Sequence, residues 1–229
     1  MSKKAIGIDI GGTGIKGAVV NLKNGSLIGE RVRHETPAGG KPGDIAKVVA
    51  KLVAQLPDAK PGMLVGICFP AIERNGITMS AANVAKEWIG LDADALFTKE
   101  LGRSVHVIND ADAAGVAEIK FGAGKDVEGL VIMTTLGTGI GTALFMNGKL
   151  VPNAELGHLE IEGVDYEGKA SFAAKEREDL SWADWAKRLQ VYYSTLERLF
   201  TPDLIIVGGG VSKQHEEFLP KLKLNAPIV

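Results

Sequence analysis

The chain has a single cysteine among its 229 residues, Cys68. A lone cysteine closes no internal disulfide, and no Cys-x-x-Cys spacing exists to hold zinc. Its place within the apolar run Leu64–Pro70 reads as a buried strand position. Long apolar runs are missing too. None approaches the ~18–20 residues of a membrane-crossing helix. The opening Met1-Ser2-Lys3-Lys4 leads directly into strand-like sequence without an apolar leader. The expectation is therefore a cytoplasmic protein with no membrane partner. Charge of one sign is also scarce: 26 Lys and Arg stand against 28 Asp and Glu, a net −2. That balance excludes a whole-molecule attraction to nucleic acid. What is abundant is glycine, with 29 residues in short clusters. Such clusters mark tight loops where backbone must come close to something. Apolar residues at 45% and charged residues at 24% are ordinary for a globular protein, and the length suits one large or two small domains.

Strand-like stretches cover 4–12, 14–22 and 26–33, the last two joined at Asn24-Gly25. An Asn-Gly pair between apolar alternations predicts a turn with positive φ at both positions. Asp44 is placed to cap a helix whose apolar stripe is Ile45, Val48, Val49, Leu52, Val53 and Leu56. Strands are expected at 64–69 and 104–108, and a helix from Asn109-Asp110 to about Phe121. Further strands are expected at 129–136, 140–146, 149–151 and 203–211. Ser181 with Asp184 three places on predicts a capped helix carrying Trp182, Trp185, Leu189, Tyr192, Leu196 and Leu199 as core.

One pattern occurs twice. Residues 12–28 read GTGIKGAVVNLKNGSLI and residues 137–151 read GTGIGTALFMNGKLV. Both run Gly-Thr-Gly-Ile, apolar strand, Asn-Gly turn. The repeat implies two similar α/β halves, each with a hairpin loop whose backbone N–H groups suit anionic oxygens. The spacing is neither a P-loop nor GxGxxG. A carboxylate at Asp9, just before the first loop, can hold Mg²⁺ or make a local turn. Lys16 can meet phosphate oxygens or simply face solvent. Asp110, at a strand–helix junction, can cap the helix or accept a hydroxyl proton. Asn83, Asn109 and the Glu155–His158 pair are polar groups suited to sugar hydroxyls. No third ligand of cysteine or histidine type accompanies that pair, so a metal reading is weak.

With these residues assembled, the chain resembles the ROK family of sugar kinases and repressors, in particular its branch of polyphosphate- and ATP-using glucokinases. The markers are IGIDIGGTGIKGA (6–18), SAANVAKEW (80–88), VINDADAA (107–114), TLGTGIGTAL (135–144), ELGHLEIEG (155–163) and PDLIIVGGGVSK (202–213). The resemblance implies an α/β fold of duplicated actin-like ATPase (ribonuclease H-like) domains, two lobes around a central cleft. The expected lobes are residues 1–108 and 109–229. It implies glucose phosphorylation from polyphosphate or ATP, with Asp110 as general base on the 6-hydroxyl. Asn83, Asn109, Asp110, Glu155 and His158 would bind the hexose. Gly11, Gly12, Thr13, Gly14, Lys16, Thr135, Gly137, Thr138 and Gly139 would line the phosphate channel, with Asp9 near Mg²⁺. Gly208, Gly209 and Gly210 would meet the nucleoside side of ATP.

The family also implies a homodimer and one more sugar-binding glutamate, for which Glu176 and Glu178 are candidates. Lys16, Lys169, Lys175, Arg177, Lys187 and Arg188 are candidates for a basic track along a polyanion. Where most relatives carry a cysteine-rich zinc motif, residues 159–169 have no cysteine, so no structural zinc is expected. Relatives usually continue into a final helix beyond the position of Val229, which suggests a shortened chain. A sugar-sensing regulator or an inactive sugar-binding copy is the alternative reading. With the first strand expected to begin by Lys4, no DNA-binding helix-turn-helix is expected ahead of it.

Overall fold

The computed structural model describes residues 3–82 and 84–229. The chain folds as two compact units, one running to Ala113 and the other from Ala114.

In the first unit, β1 (Lys4–Ile10) pairs antiparallel with β2 (Gly14–Asn21), and β2 with β3 (Leu27–Glu35). Helix α1 (Pro42–Gln55) leads to β4 (Val65–Phe69), which lies parallel to β1. A small hairpin, β5 (Glu73–Arg74) and β6 (Ile77–Thr78), precedes α2 (Ala93–Leu101). Then β7 (Val105–Asn109) runs parallel to β4 and passes directly into α3 (Asp110–Phe121). The sheet order is β3-β2-β1-β4-β7. Alternation along β1 turns Ile6, Ile8 and Ile10 inward, where they join Ile67, Phe69 and the α1 residues Ile45, Val49 and Leu52 in one core. The helix lies so close to β2 that a Cβ on Gly17 would sit 2.4 Å from Leu52 Cδ2 and 2.6 Å from Ile8 Cδ1.

Two local expectations change. Gly25 has φ 72°, but Asn24 is not among the residues with positive φ. Asn24 instead folds its side chain onto the backbone, its Oδ1 accepting from Ser26 N–H at 3.2 Å. The longer loop between β2 and β3 relieves the turn of the two-residue geometry. Asp44 does not cap α1. The helix starts after Lys41 with Pro42 in its first turn, where a missing N–H costs nothing, and Asp44 lies in that turn as a favourable charge.

The second unit repeats the plan. β8 (Leu130–Leu136), β9 (Ile140–Met146) and β10 (Lys149–Val151) form an antiparallel meander. Its Asn147-Gly148 turn does have φ 50° and 72°, as a two-residue hairpin needs. After a two-residue hairpin, β11 (Glu160–Ile161) and β12 (Val164–Asp165), come α4 (Glu167–Ala170), α5 (Phe172–Arg177) and the long α6 (Trp182–Phe200). β13 (Leu204–Gly208) then lies parallel to β8, giving the order β10-β9-β8-β13, and α7 (His215–Phe218) follows. This matches β3-β2-β1-β4 strand for strand. Even the fifth place is filled. The terminal residues run beside β13, with Val229 N–H donating to Ile205 O at 3.0 Å and Val207 N–H donating to Val229 O at 2.7 Å. They stand where β7 stands beside β4.

The sheet is apolar on both faces, as strands covered twice require. Ile132, Leu144, Ile205 and Val207 pack with Leu189, Tyr192, Tyr193 and Leu196 of α6. Val131, Met133, Phe145 and Ile206 pack with Ala114 and Ile119 of α3. Leu199, expected in the core, is 56% exposed near the end of α6. The start of that helix is fixed as expected: Ser181 Oγ accepts from Asp184 N–H at 3.1 Å and donates to the Asp184 carboxylate at 2.7 Å. Ser181→Ala should therefore cost about 1 kcal/mol. In a chain of this size that lowers Tm by roughly 2–4 °C in a thermal melt followed by circular dichroism. An unchanged Tm would show that the cap contributes nothing.

Candidate functional site

In the first unit the carboxyl ends of three parallel strands come together. Asp9, next to last in β1, stands opposite Cys68 of β4, and Phe69 of β4 stands opposite Asn109 of β7, just before Asp110. Open α/β sheets place ligands at this edge. Asn109, more than Asp110, secures the start of α3. Its Oδ1 accepts from Ala111 N–H at 2.9 Å and Asp112 N–H at 3.1 Å, and its amide donates to Ala71 O at 3.2 Å. Asp110 is thereby held with its Oδ1 on Ala111 N–H at 2.8 Å.

The Asp110 carboxyl is reached by solvent, yet the protein around it strips enough water to raise its pKa, and the nearby Asp9 charge adds to the rise. Backbone N–H donation works the other way without cancelling it. Cys68 sits between the two acids. Burial, with the charges of Asp9 and Asp110, pushes its thiol up to about 12, so it stays a neutral apolar filler at neutral pH.

The first glycine loop follows Asp9. Gly11 N–H donates to Gly14 O at 3.0 Å across the turn, and Thr36 Oγ1 donates to Gly11 O at 2.5 Å. Gly12 and Thr13 are left exposed at the tip. Lys16 reaches back to Asp9, Nζ to Oδ2 at 3.2 Å, both side chains partly in solvent. A lone half-exposed pair of this kind is readily exchanged for a ligand's charge.

The second unit carries the matching loop. Gly137 N–H donates to Gly139 O at 3.0 Å, and Ala173 N–H donates to Gly137 O at 3.0 Å. Thr138 is exposed at the tip, Thr135 is half-buried at the end of β8, and Gly208 pairs opposite Thr135 at the end of β13. Gly209 has φ 89°, and a Cβ there would lie 2.3 Å from Leu136 O, so the triple-glycine turn closes tightly on the loop strand. The Glu155–His158 segment is fastened from three sides. Buried Thr142 of β9 donates to Ala154 O and accepts from Leu156 N–H at 2.9 Å. Tyr192 of α6 donates to Leu156 O at 3.1 Å. Gly157 packs against the Ile140 carbonyl.

His158 Nδ1 meets Asp165 Oδ2 at 2.9 Å. That hydrogen bond raises the imidazole pKa most; burial opposes it as the next largest effect, and the charges of Glu167, Asp165 and Glu155 add to the rise.

The structure adds one acid that the sequence did not single out. Glu167 Oε2 accepts from Ile140 N–H at 2.8 Å, directly behind the Gly-Thr-Gly loop. Glu178, by contrast, is taken up by arginines, at 2.6 Å from Arg188 and 3.1 Å from Arg177, and held at a pKa of about 2 by those bonds. Other members of the expected basic track also have local partners. Lys187 is 2.7 Å from Asp184, and Lys175 lies 4.4 Å above the Trp182 ring. Asn83 lies outside the described residues. Among the described residues no group of three or more His, Cys, Asp or Glu is arranged to hold a metal ion.

The ROK family model matches residues 5–176, three quarters of the chain, across both glycine loops and Glu155–His158. The chain belongs to the ROK family. Among characterised members it is similar to the polyphosphate glucokinase of Mycobacterium tuberculosis (strain CDC 1551 / Oshkosh), 42% identical over 228 residues, which cover 99% of this chain and 85% of that protein. The polyphosphate glucokinase of Mycobacterium leprae (strain TN) is 40% identical over 227 residues, 99% of this chain and 69% of that protein. Among solved structures it is similar to the inorganic polyphosphate/ATP-glucomannokinase from Arthrobacter sp. strain KM, with 56% identity and a TM-score of 0.93, covering all of this chain and 92% of that one. The α/β fold of this ROK protein, with its two matching sheets, is that of the actin-like sugar kinases.

Proposed function

We propose that this ROK protein is a glucokinase that transfers the terminal phosphoryl group of inorganic polyphosphate, with ATP as an alternative donor, to the 6-hydroxyl of glucose. The observation that carries the chemistry is Asp110: a solvent-reached carboxyl with raised proton affinity, held by Ala111 N–H in a helix start that Asn109 secures, at the carboxyl ends of the parallel strands β1, β4 and β7. The named activities of the relatives support the same reaction.

In this reading Asp110 accepts the hydroxyl proton while the sugar oxygen bonds to the terminal phosphorus. The bridging P–O bond breaks, and the donor leaves one unit shorter. Asn83, Asn109, Glu155 and His158 bind the sugar, Asn109 through the amide N–H not given to Ala71. Gly11, Gly12, Thr13, Gly14 and Lys16 in one unit, and Thr135, Gly137, Thr138 and Gly139 in the other, offer N–H, hydroxyl and ammonium donors to phosphate oxygens. Gly208, Gly209 and Gly210 accommodate the nucleoside when ATP is the donor. Asp9, half-exposed and paired with Lys16, fits Mg²⁺, which commonly takes one or two carboxylates together with substrate phosphates. Bound there, the cation would offset phosphate charge as the bond breaks.

A cytoplasmic homodimer is the proposed working form, on family resemblance. No helix among the described residues is long and apolar enough to cross a membrane. The regulator alternative is disfavoured because the proposed base Asp110 is present and held in place. Steady-state assays with glucose, Mg²⁺ and either donor test the assignment. Turnover with polyphosphate is expected; turnover with ATP alone would remove polyphosphate as donor.

A further inference from the structure

The hairpin after His158 has no part in the reaction as described, yet it is built with care. Glu162 and Gly163 form a turn with φ 54° and 75°, which lets β12 fold straight back on β11. Tyr166 N–H closes the base of the hairpin on Leu159 O at 3.1 Å. The fold-back brings Asp165, seven residues on in sequence, against His158. Both oxygens of Asp165 are then used. Oδ2 meets His158 Nδ1 at 2.9 Å, and Oδ1 accepts from Glu167 N–H at 3.1 Å. Glu167 in turn accepts from Ile140 N–H at 2.8 Å. Room for that carboxylate exists because position 139 is glycine: a Cβ there would lie 2.4 Å from Glu167 Oε2.

We propose that Asp165 is a positioning residue that fixes the ring of His158 for the sugar and, through Glu167, ties that ring to the second glycine loop. A carboxylate partner can only accept, so Nδ1 carries the proton and Nε2 is the nitrogen offered to a ligand. The path His158–Asp165–Glu167–Ile140 joins the proposed sugar side to the proposed phosphate side within one unit. His158 and Asp165 are 55% and 54% exposed, so their bond adds little to folding stability; its effect is on orientation.

The proposal rests on His158 contacting the sugar, and the experiment separates the two ideas. His158→Ala, Asp165→Ala and Asp165→Asn are compared with wild type for glucose KM, kcat and Tm. Histidine ring tautomers are read by ¹⁵N NMR. Asp165→Ala should raise glucose KM about tenfold at nearly unchanged Tm, since small misplacements of a binding group are costly. Its His158 ring should shift toward the Nε2–H form. Asp165→Asn, whose side-chain oxygen still accepts from Nδ1–H, should stay within about threefold of wild type. If His158→Ala raises KM while Asp165→Ala does not, or if Asp165→Asn is as impaired as Asp165→Ala, Asp165 is not the positioning group. If His158→Ala itself leaves KM unchanged, the sugar contact fails and the proposal falls with it.

Discussion

Asp110→Asn should lower kcat by about 10²-fold or more while leaving glucose KM within a few-fold of wild type. Asparagine has the same shape and can keep the bond from Ala111 N–H, so the start of α3 and the network around Asn109 survive. What is lost is the ability to take a proton. The pH profile gives an independent check. A raised carboxyl pKa means that the proton stays on to higher pH than for an ordinary aspartate. The base form, and with it kcat/KM, should therefore fall as pH drops through a value above the usual carboxylate range. Desolvation is the first cause of that shift and persists when a cation offsets the charge of Asp9. Near-normal turnover in the variant would remove Asp110 from the mechanism.

Gly157→Ala should be comparably damaging for a different reason. A Cβ at this position would lie 2.1 Å from Ile140 O and 3.1 Å from Ile140 C. Both are backbone atoms, so no side chain can swing aside, and either β9 or the turn at Leu156–His158 must move. Ile140 anchors Glu167 through its N–H, and Gly157 sits between Glu155 and His158. The displacement therefore reaches the proposed sugar contacts and the second glycine loop together. A stability loss of about 1–3 kcal/mol is expected from overpacking. A glucose kcat/KM loss of up to about 10²-fold follows if the His158 ring moves by an ångström. Denaturant melts and steady-state kinetics read the two effects separately. A variant with wild-type stability and kinetics would show that the loop tolerates the extra carbon.

The duplication was legible because it rests on local chemistry. Gly-Thr-Gly-Ile followed by an apolar strand and an Asn-Gly turn is a signal carried by neighbouring residues, and both copies take matching places in their sheets. Less visible was what each turn would do with its asparagine: Asn147 takes positive φ in a two-residue turn, while Asn24 bonds to its neighbour in a longer loop. The same limit applies at helix starts. Asp44 and Pro42 compete to open α1, and Asn109 and Asp110 compete to open α3; side-chain geometry settles which one caps.

Glu167 was missed for a non-local reason. Glu160, Glu162, Asp165, Glu167, Glu176 and Glu178 all follow His158, and sequence spacing does not rank them. The tight turn at Glu162-Gly163 decides that Asp165 and Glu167 return toward Ile140, while Glu178 is drawn to Arg188.

The most direct measurement is ³¹P NMR of the protein with glucose, Mg²⁺ and inorganic polyphosphate. A phosphomonoester signal on the 6-position of the sugar should grow as the polyphosphate chains shorten, and Asp110→Asn should slow both together. No sugar phosphate from polyphosphate, and none when ATP replaces it, would contradict the assignment of this chain as a sugar kinase.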